Sequence, residues 1–304
     1  MNREEFYEEV LKEMSHTVEN AEVSLNRTTK NNGIVRTGIT IRTTNSSISP
    51  VIYLDEMYTT YESNQNMEEI VTTVLDIYNK SIIENPVQAN PDMFRWEAAK
   101  ENLFIKVVNY AANQKQLEGL VHEIFLDLAI IPCIQVDMKD EALGSVTVNK
   151  ILADTWGISD EEIISAAKKN TPELFDVLMK PLFEMIKSLL SIDEKDELQD
   201  FQEPGIYVLT NKMNIHGAMF LGISEVLEEA RRKLGVESFY ILPSSIHECL
   251  IVTEKNMDPK ELRKMVRDVN NSHVQPDEVL SYSIYKYDGT EVSIIESGVG
   301  EDYE

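Results

Sequence analysis

The chain has 304 residues, 42% hydrophobic and 27% charged, with 53 acidic against 28 basic side chains and a formal net charge of −25. This is a globular balance at high acidity, so direct binding to nucleic acid or to an anionic membrane is disfavoured by the field of the chain itself. No apolar run is long enough to span a bilayer, and the first residues, MNREEFYEEVLKEM, lack the basic start and apolar core of a secretory leader, so a cytoplasmic protein is expected.

Residues 2–15 place Phe6, Val10, Leu11 and Met14 at helical spacing behind Asn2, a good N-cap. Two strand-like runs follow, EVSLNRTT and IVRTGITIRTT, with Asn32-Gly33 between them as a hairpin turn. In the second run Val35, Ile39 and Ile41 are expected on one face, and Arg36, Thr40 and Arg42 on the other. The stretch from Val23 to Leu54 has no acid, so Arg27, Lys30, Arg36 and Arg42 form a local basic segment. Pairing of Arg36 and Arg42 with the chain's own acids, Glu4, Glu5 and Glu8 among them, is expected over a docking role.

SPVIYLDEMY reads as a short strand entering a turn, and residues 66–84 as an amphipathic helix along Ile70, Val74 and Tyr78. A short helix near DMFRWEAAKE leads to a strand at LFIKVVNY. EIFLDLAIIPCIQV is expected as a single central strand with Asp127 buried inside it, and GSVTVNK as another strand. A carboxylate among so many apolar residues is costly unless bonded, so Asp127 is either a perturbed acid lining a pocket or a partner to a backbone amide or arginine. Residues 151–192 read as helical, opening with Ser159 and Glu162 in capping-box order and interrupted at Pro181.

DEKDELQDFQEP, residues 193–204, has six acids against one lysine and is the best linker candidate. Beyond it strands and helices alternate: GIYVLT, ISEVLEEARRKLG, SFYILP, ECLIVT, DPKELRKMVRDVNN and VLSYSIYKYDG. The expected fold is therefore α+β, with mixed or antiparallel sheets layered by helices. It is divided into an N-terminal unit, residues 1–192, and a C-terminal unit, residues 204–298. Cys133 and Cys249 each lie in an apolar run, far apart, and are expected as buried thiols.

Two loops hold the chemistry-bearing residues. In YILPSSIHECLIV, Ser244, Ser245, His247 and Glu248 crowd between two apolar runs. Ser245 and His247 suggest a nucleophile and base, but no G-x-S-x-G elbow or orienting acid accompanies them. The competing role is a turn in which a serine caps backbone amides. In TNKMNIHGAMFLG, Asn211 and His216 precede a helix, without a phosphate-loop or dinucleotide pattern. No metal motif is present, since Leu126 and Ile251 stand where a second histidine would follow His122-Glu123 and His247-Glu248. No cofactor can be named. The candidate ligand-binding set is thus Ser244, Ser245, His247, Glu248, Asn211, His216 and Asp127, with no catalytic or metal residue assigned. The expected function is a binding or interaction protein without catalysis, its partner a protein or a small molecule. A nucleic-acid mimic is one form of it. The alternative is a small-ligand-binding protein or hydrolase-like enzyme using the Ser-Ser-x-His-Glu loop.

Several segments in order, VIYLDEMY, VVNYAANQKQLEGLVHEIFLDLAI, VTVNKILADTWGISDEEIISAAKKNT, ILPSSIHECLIV and DEVLSYSIYKYDG, make the chain resemble a bacterial domain-of-unknown-function family, number five-six-eight-eight. The likeness spans nearly the whole chain and implies one intact design. The family carries no established activity, so the resemblance implies none. The W-x-I-S-x-E-E helix start is also similar to one in a second uncharacterised bacterial family.

Overall fold

The computed structural model describes residues 1–43, 51–84, 91–139, 142–189, 205–243, 245–253 and 258–296. They form two compact units, Met1–Asn90 and Pro91–Glu304.

In the first unit, helix α1 (Arg3–Thr17) opens with a full capping box: Asn2 accepts from the Glu5 amide and Glu5 accepts from the Asn2 amide. Its apolar stripe, Phe6, Tyr7, Val10 and Met14, is buried. Strands β1 (Ala21–Thr29), β2 (Val35–Thr43) and β3 (Val51–Tyr53) form an antiparallel sheet with β2 in the centre. The turn between β1 and β2 carries Asn32 at φ 59° and Gly33 at φ 70°, the left-handed geometry that Asn-Gly adopts at low cost. Gly38 is required for another reason, since a Cβ there would lie 2.4 Å from Val51 Cγ1 and 2.9 Å from the Ile52 carbonyl.

Ile39 and Ile41 are buried as expected, but Val35 is 55% exposed. It pairs with Thr29 at the last rung beside the turn, where the hairpin extends past the core. The ion pair seen with the N-terminal helix belongs to Arg27, a neighbour of the expected Arg36 and Arg42, which reaches Glu4 of α1 at 2.5 Å. LDEMY was expected as a turn; it begins helix α2 (Asp55–Asn64). Asp55 accepts from the Thr37 amide at 2.9 Å and the Tyr7 hydroxyl at 3.1 Å, bonds to distant residues that local sequence does not announce. Helix α3 (Met67–Glu84) completes the unit with Ile70, Val74 and Tyr78 in its core.

In the second unit, α4 (Trp96–Ala99), β4 (Leu103–Asn109) and α5 (Tyr110–Leu117) come first. The expected single strand at 123–136 is a hairpin: β5 (Glu123–Phe125) turns back into β6 (Leu128–Lys139), with Phe125 paired to Leu128. Asp127 therefore sits in a two-residue turn beside Leu126, which takes φ 59°. Strand β6 pairs with β4 on one edge and with β5 and then β7 (Ala142–Thr147) on the other. Pro132 interrupts β6 without loss. In an antiparallel strand its N–H would face the same edge as its carbonyl, which accepts from the Val148 amide, and the Val148 carbonyl is taken by the Val121 amide.

Helices α6 (Lys150–Trp156) and α7 (Asp160–Leu174) follow, the second capped by Ser159 accepting from the Glu162 amide. Residues 177–181, expected as helix, are strand β8 (Val177–Pro181), and α8 (Leu182–Leu189) starts only after Pro181. Strand β8 pairs with β9 (Ile206–Asn211), from Val177 opposite Asn211 to Pro181 opposite Tyr207. The expected division falls at residues 193–204. That stretch lies outside the described residues, but the strands flanking it belong to one sheet in one unit, and the units divide between Asn90 and Pro91. Like charges made the stretch read as a linker; backbone pairing across it is invisible to composition.

A 3-10 segment, Gly217–Gly222, leads to α9 (Ser224–Leu234), then β10 (Phe239–Leu242), β11 (Cys249–Thr253), α10 (Pro259–Ser272), β12 (Ile284–Tyr287) and β13 (Val292–Glu296). The six-stranded antiparallel sheet has the order β13-β12-β10-β11-β9-β8. Alternation gives it two apolar faces. Ile241, Cys249, Ile251 and Tyr285 join the main core with Phe220 and Leu227, while Leu242, Val252 and Ile284 pack on Leu262 and Val266 of α10. Cys133 and Cys249 are buried free thiols, both pushed up by burial. The α+β class is as expected, with every sheet antiparallel.

Candidate functional site

The two loops singled out in the sequence meet. The 211–217 loop is shaped by Asn211, whose buried side chain accepts from the Met213 and Ile215 amides and donates to the Ile215 carbonyl at 2.7 Å. Asn214 and His216 both take left-handed backbone angles, φ 53° and 54°. The Gly217 amide then donates to the His247 carbonyl at 2.8 Å, and the Ala218 amide to the Ile246 carbonyl. A Cβ at Gly217 would stand 2.4 Å from the His247 carbonyl and 2.3 Å from Thr210 Oγ1, so the two loops close on each other only with glycine here.

The 245–248 segment is braced from its other side. Ser245 bridges to Val279, and the Ile246 amide donates to the Glu278 carbonyl. Ser245 is buried, and its Oγ accepts from the His247 amide at 2.9 Å. The His247 imidazole faces elsewhere: Nδ1 toward the His216 amide at 3.4 Å, Nε2 toward Glu278 Oε1 at 3.4 Å, with the ring stacked on His216 at 5.7 Å. The result is an open cleft of about 350 Å³ lined by Asn214, Ser245, His247, Glu248, His273, Val274 and Glu278.

Electrostatically the cleft is unusual. The His216 imidazole is pushed down to about 3, first by burial and then by the charges of Lys106 and His247. Burial also raises the Glu248 carboxyl, against the lowering effect of His247 and of a Ser245 hydrogen bond, and with Glu278 adding to the rise. One shifted group in the concavity, Glu248, and another stacked against its His247, His216, mark a candidate site. A larger cleft, about 800 Å³, lies along α7 and the start of α9. There Lys168 is bound to Glu123 at 2.8 Å and Lys150 to Asp160, so opposite charges neutralise each other in water. The smaller cleft gathers the perturbed groups and is the stronger candidate.

Ser245, His247 and Glu248 thus line one cleft with His216 stacked behind them; Asn211 shapes its loop from beneath, and Ser244 lies outside the described residues. Asp127 stands apart. It accepts from Ser281 Oγ at 2.7 Å, Ser283 Oγ at 2.8 Å and the Tyr285 hydroxyl, and so ties the β5–β6 turn to the strand that becomes β12. Its partners are three hydroxyls, where the sequence suggested an amide or an arginine. The Tyr285 phenol is held well above its ordinary range by burial, then by the Asp127 charge and hydrogen bond. The period-two spacing of Ser281, Ser283 and Tyr285 in SYSIY was the readable sign that one face of this strand is polar. His273 and Glu278 were missed because no local motif includes them. The Ser245–Val279 bridge and the Ile246–Glu278 backbone hydrogen bond bring their loop to the cleft.

Among the described residues no group of three or more His, Cys, Asp or Glu is placed to hold a metal ion, and no helix is long and apolar enough to cross a membrane. No curated protein and no solved structure matches the chain. One family model does, over residues 3–289, and the chain belongs to that family, the family of unknown function DUF5688.

Proposed function

We propose that the protein is a binding protein without catalysis, and that the cleft between the 211–217 and 245–248 loops takes a cationic group, an ammonium or guanidinium of a small molecule or of a basic partner protein. The observation that carries this reading is the direction of the Ser245 and His247 side chains. A serine nucleophile requires a base within about 3 Å of its hydroxyl. Here Ser245 Oγ is occupied by the His247 backbone amide, and the imidazole points toward His216 and Glu278. Ser245 is a turn-capping residue in this arrangement. What faces the open side is a set of acceptors: the carboxylates of Glu248 and Glu278 beside the two imidazoles of His247 and His273. Such a set suits a donor-rich cation, and the net charge of −25 draws cations toward it.

Thermal-shift titration with arginine and with spermidine, against glutamate as an anionic control, tests the reading. Stabilisation by a cation that is lost in E278Q and E248Q supports it. Absence of a shift with either cation overturns the cleft as a cation site. An esterase activity toward activated esters that disappears in both S245A and H247A would overturn the non-catalytic reading.

A further inference from the structure

In an antiparallel pair, residues alternate between those whose N–H and C=O face the partner strand and those whose groups face away. The Lys30 amide donates to the Ile34 carbonyl at 2.7 Å, one step beyond the Thr29–Val35 pair, and this sets the phase of the first hairpin. Glu22, Ser24, Asn26 and Thr28 therefore turn their backbone groups toward β2, and Ala21, Val23, Leu25, Arg27 and Thr29 turn theirs away. Strand β1 is at the margin of its sheet, and among the described residues no hydrogen bond from outside the hairpin reaches those outward groups. The margin is nine residues long, in unbroken register with β2 and without proline. Other margins are blunted. The Ile105 amide of β4 is taken by Thr171 Oγ1 at 3.0 Å, β8 ends in Pro181, β3 has three residues, and β13 has five and a register shift against β12. A long, regular strand margin is a template for another strand.

We propose that β1 pairs with β1 of a second copy of this chain, antiparallel about a two-fold axis at Leu25, joining the two three-stranded sheets into one. The strand itself fixes this register. Leu25 is the midpoint of Ala21–Thr29 and faces outward, so centring on it sets outward groups against outward groups along the whole strand: Leu25 with Leu25, Val23 with Arg27, Ala21 with Thr29. Centring on any other residue shortens the ladder. The charges fit the same register. On the polar face Glu22 lies opposite Thr28 of the second copy and diagonal to its Lys30, which is held over the Tyr53 ring on that face. Diagonal neighbours are about 7–8 Å apart, within reach of long side chains, and symmetry makes this opposite-charge pair twice. No like charges are opposed. On the other face Leu25, half-buried against the core of its own unit, meets its copy. Because the sequence from Val23 to Leu54 has no acid, this strand is also a place where a second molecule of charge −25 approaches with little local repulsion.

Sedimentation velocity of the full chain over a concentration series reaching about 100 μM, where an association of micromolar strength is well populated, tests this. The wild type is expected to pass from monomer to dimer. R27P removes an outward amide and leaves the bonds between β1 and β2 in place, so it should weaken the dimer about tenfold or more. T28E sets a carboxylate against Glu22 twice over and should weaken it about tenfold, and E22K/T28E, which turns that clash into attraction, should restore it to within about threefold. E4Q removes the ion pair that R27P also loses and should leave the dimer unchanged. Circular dichroism checks the fold of each variant, and T28E carries the test if R27P unfolds. A wild type that stays monomeric throughout overturns the proposal. So does a dimer that neither R27P nor T28E weakens, or one that E22K/T28E fails to restore.

Discussion

Asp127 and Glu278 are both carboxylates beside serines, and the chain from 278 to 285 serves both, yet the two places differ in every physical respect. At Asp127 three hydroxyls from Ser281, Ser283 and Tyr285 converge on one carboxylate, and all three donors come from side chains with no exposure. Three buried donors take three of the carboxylate's about four acceptor positions, so little is left to offer a ligand. At the cleft the Glu278 side chain is 40% exposed and makes a long 3.4 Å approach to His247, while Glu248 is raised by burial with few donors near it. A satisfied acid holds structure together; an unsatisfied one is available for binding. The buried amides around the clasp reinforce it, since Asn109 donates to the Leu280 carbonyl at 3.1 Å and Asn270 to the Ser281 carbonyl at 3.0 Å.

The largest expected effect comes from breaking the saturated side. Asp127→Ala strands three buried hydroxyls at once and should cost about 3–5 kcal/mol in urea unfolding, whereas Asp127→Asn, which keeps one acceptor, should cost roughly half. A loss below about 1 kcal/mol in Asp127→Ala would show that the clasp does not hold the two sheets together.

The open side should respond to pH. His216 is held at about 3 against an ordinary 6.5, so the folded state prefers the neutral ring. For a group depressed on folding, its contribution is complete above pH 6.5 and is lost as pH falls toward 3. At about 1.36 kcal/mol per pH unit, wild type should lose about 2 kcal/mol relative to H216N between pH 7 and pH 5. Asparagine suits the test because it tolerates the left-handed backbone at this position. A pH-independent difference between the two proteins would mean that the ring is protonated as readily when folded as when unfolded.

The smallest effect sharpens the contrast between the two serine environments. Ser245→Ala removes one neutral hydrogen bond to the His247 amide and should cost about 1 kcal/mol in melting experiments. Cation binding at the cleft should change little, because the acceptors offered to the cation are the carboxylates of Glu248 and Glu278. A loss of cation binding without loss of stability would place Ser245 in the ligand's contact surface instead.

Where structure depends on neighbours in the chain, the sequence was legible. Asn2 and Glu5 form their capping box, Asn32-Gly33 turns the hairpin, and the 3.6-residue periodicity of α3, α9 and α10 follows from local bonding. The convergence of the 211–217 and 245–248 loops was partly legible as well, from their unusual residues but not from any motif. The misses share a physical cause. A strand is stabilised by its partner, so residues 177–181 read as helix until β9 pairs with them. The β5–β6 turn at Leu126-Asp127 has no Asn or Gly to announce it, and its acid is held by hydroxyls more than 150 residues away. Composition and periodicity determined that this is an acidic α+β chain with particular helices and one clear hairpin. Tertiary pairing alone decided which acid is spent on structure, which acids stay open, and where the units divide, because those outcomes depend on contacts between residues that no local window contains.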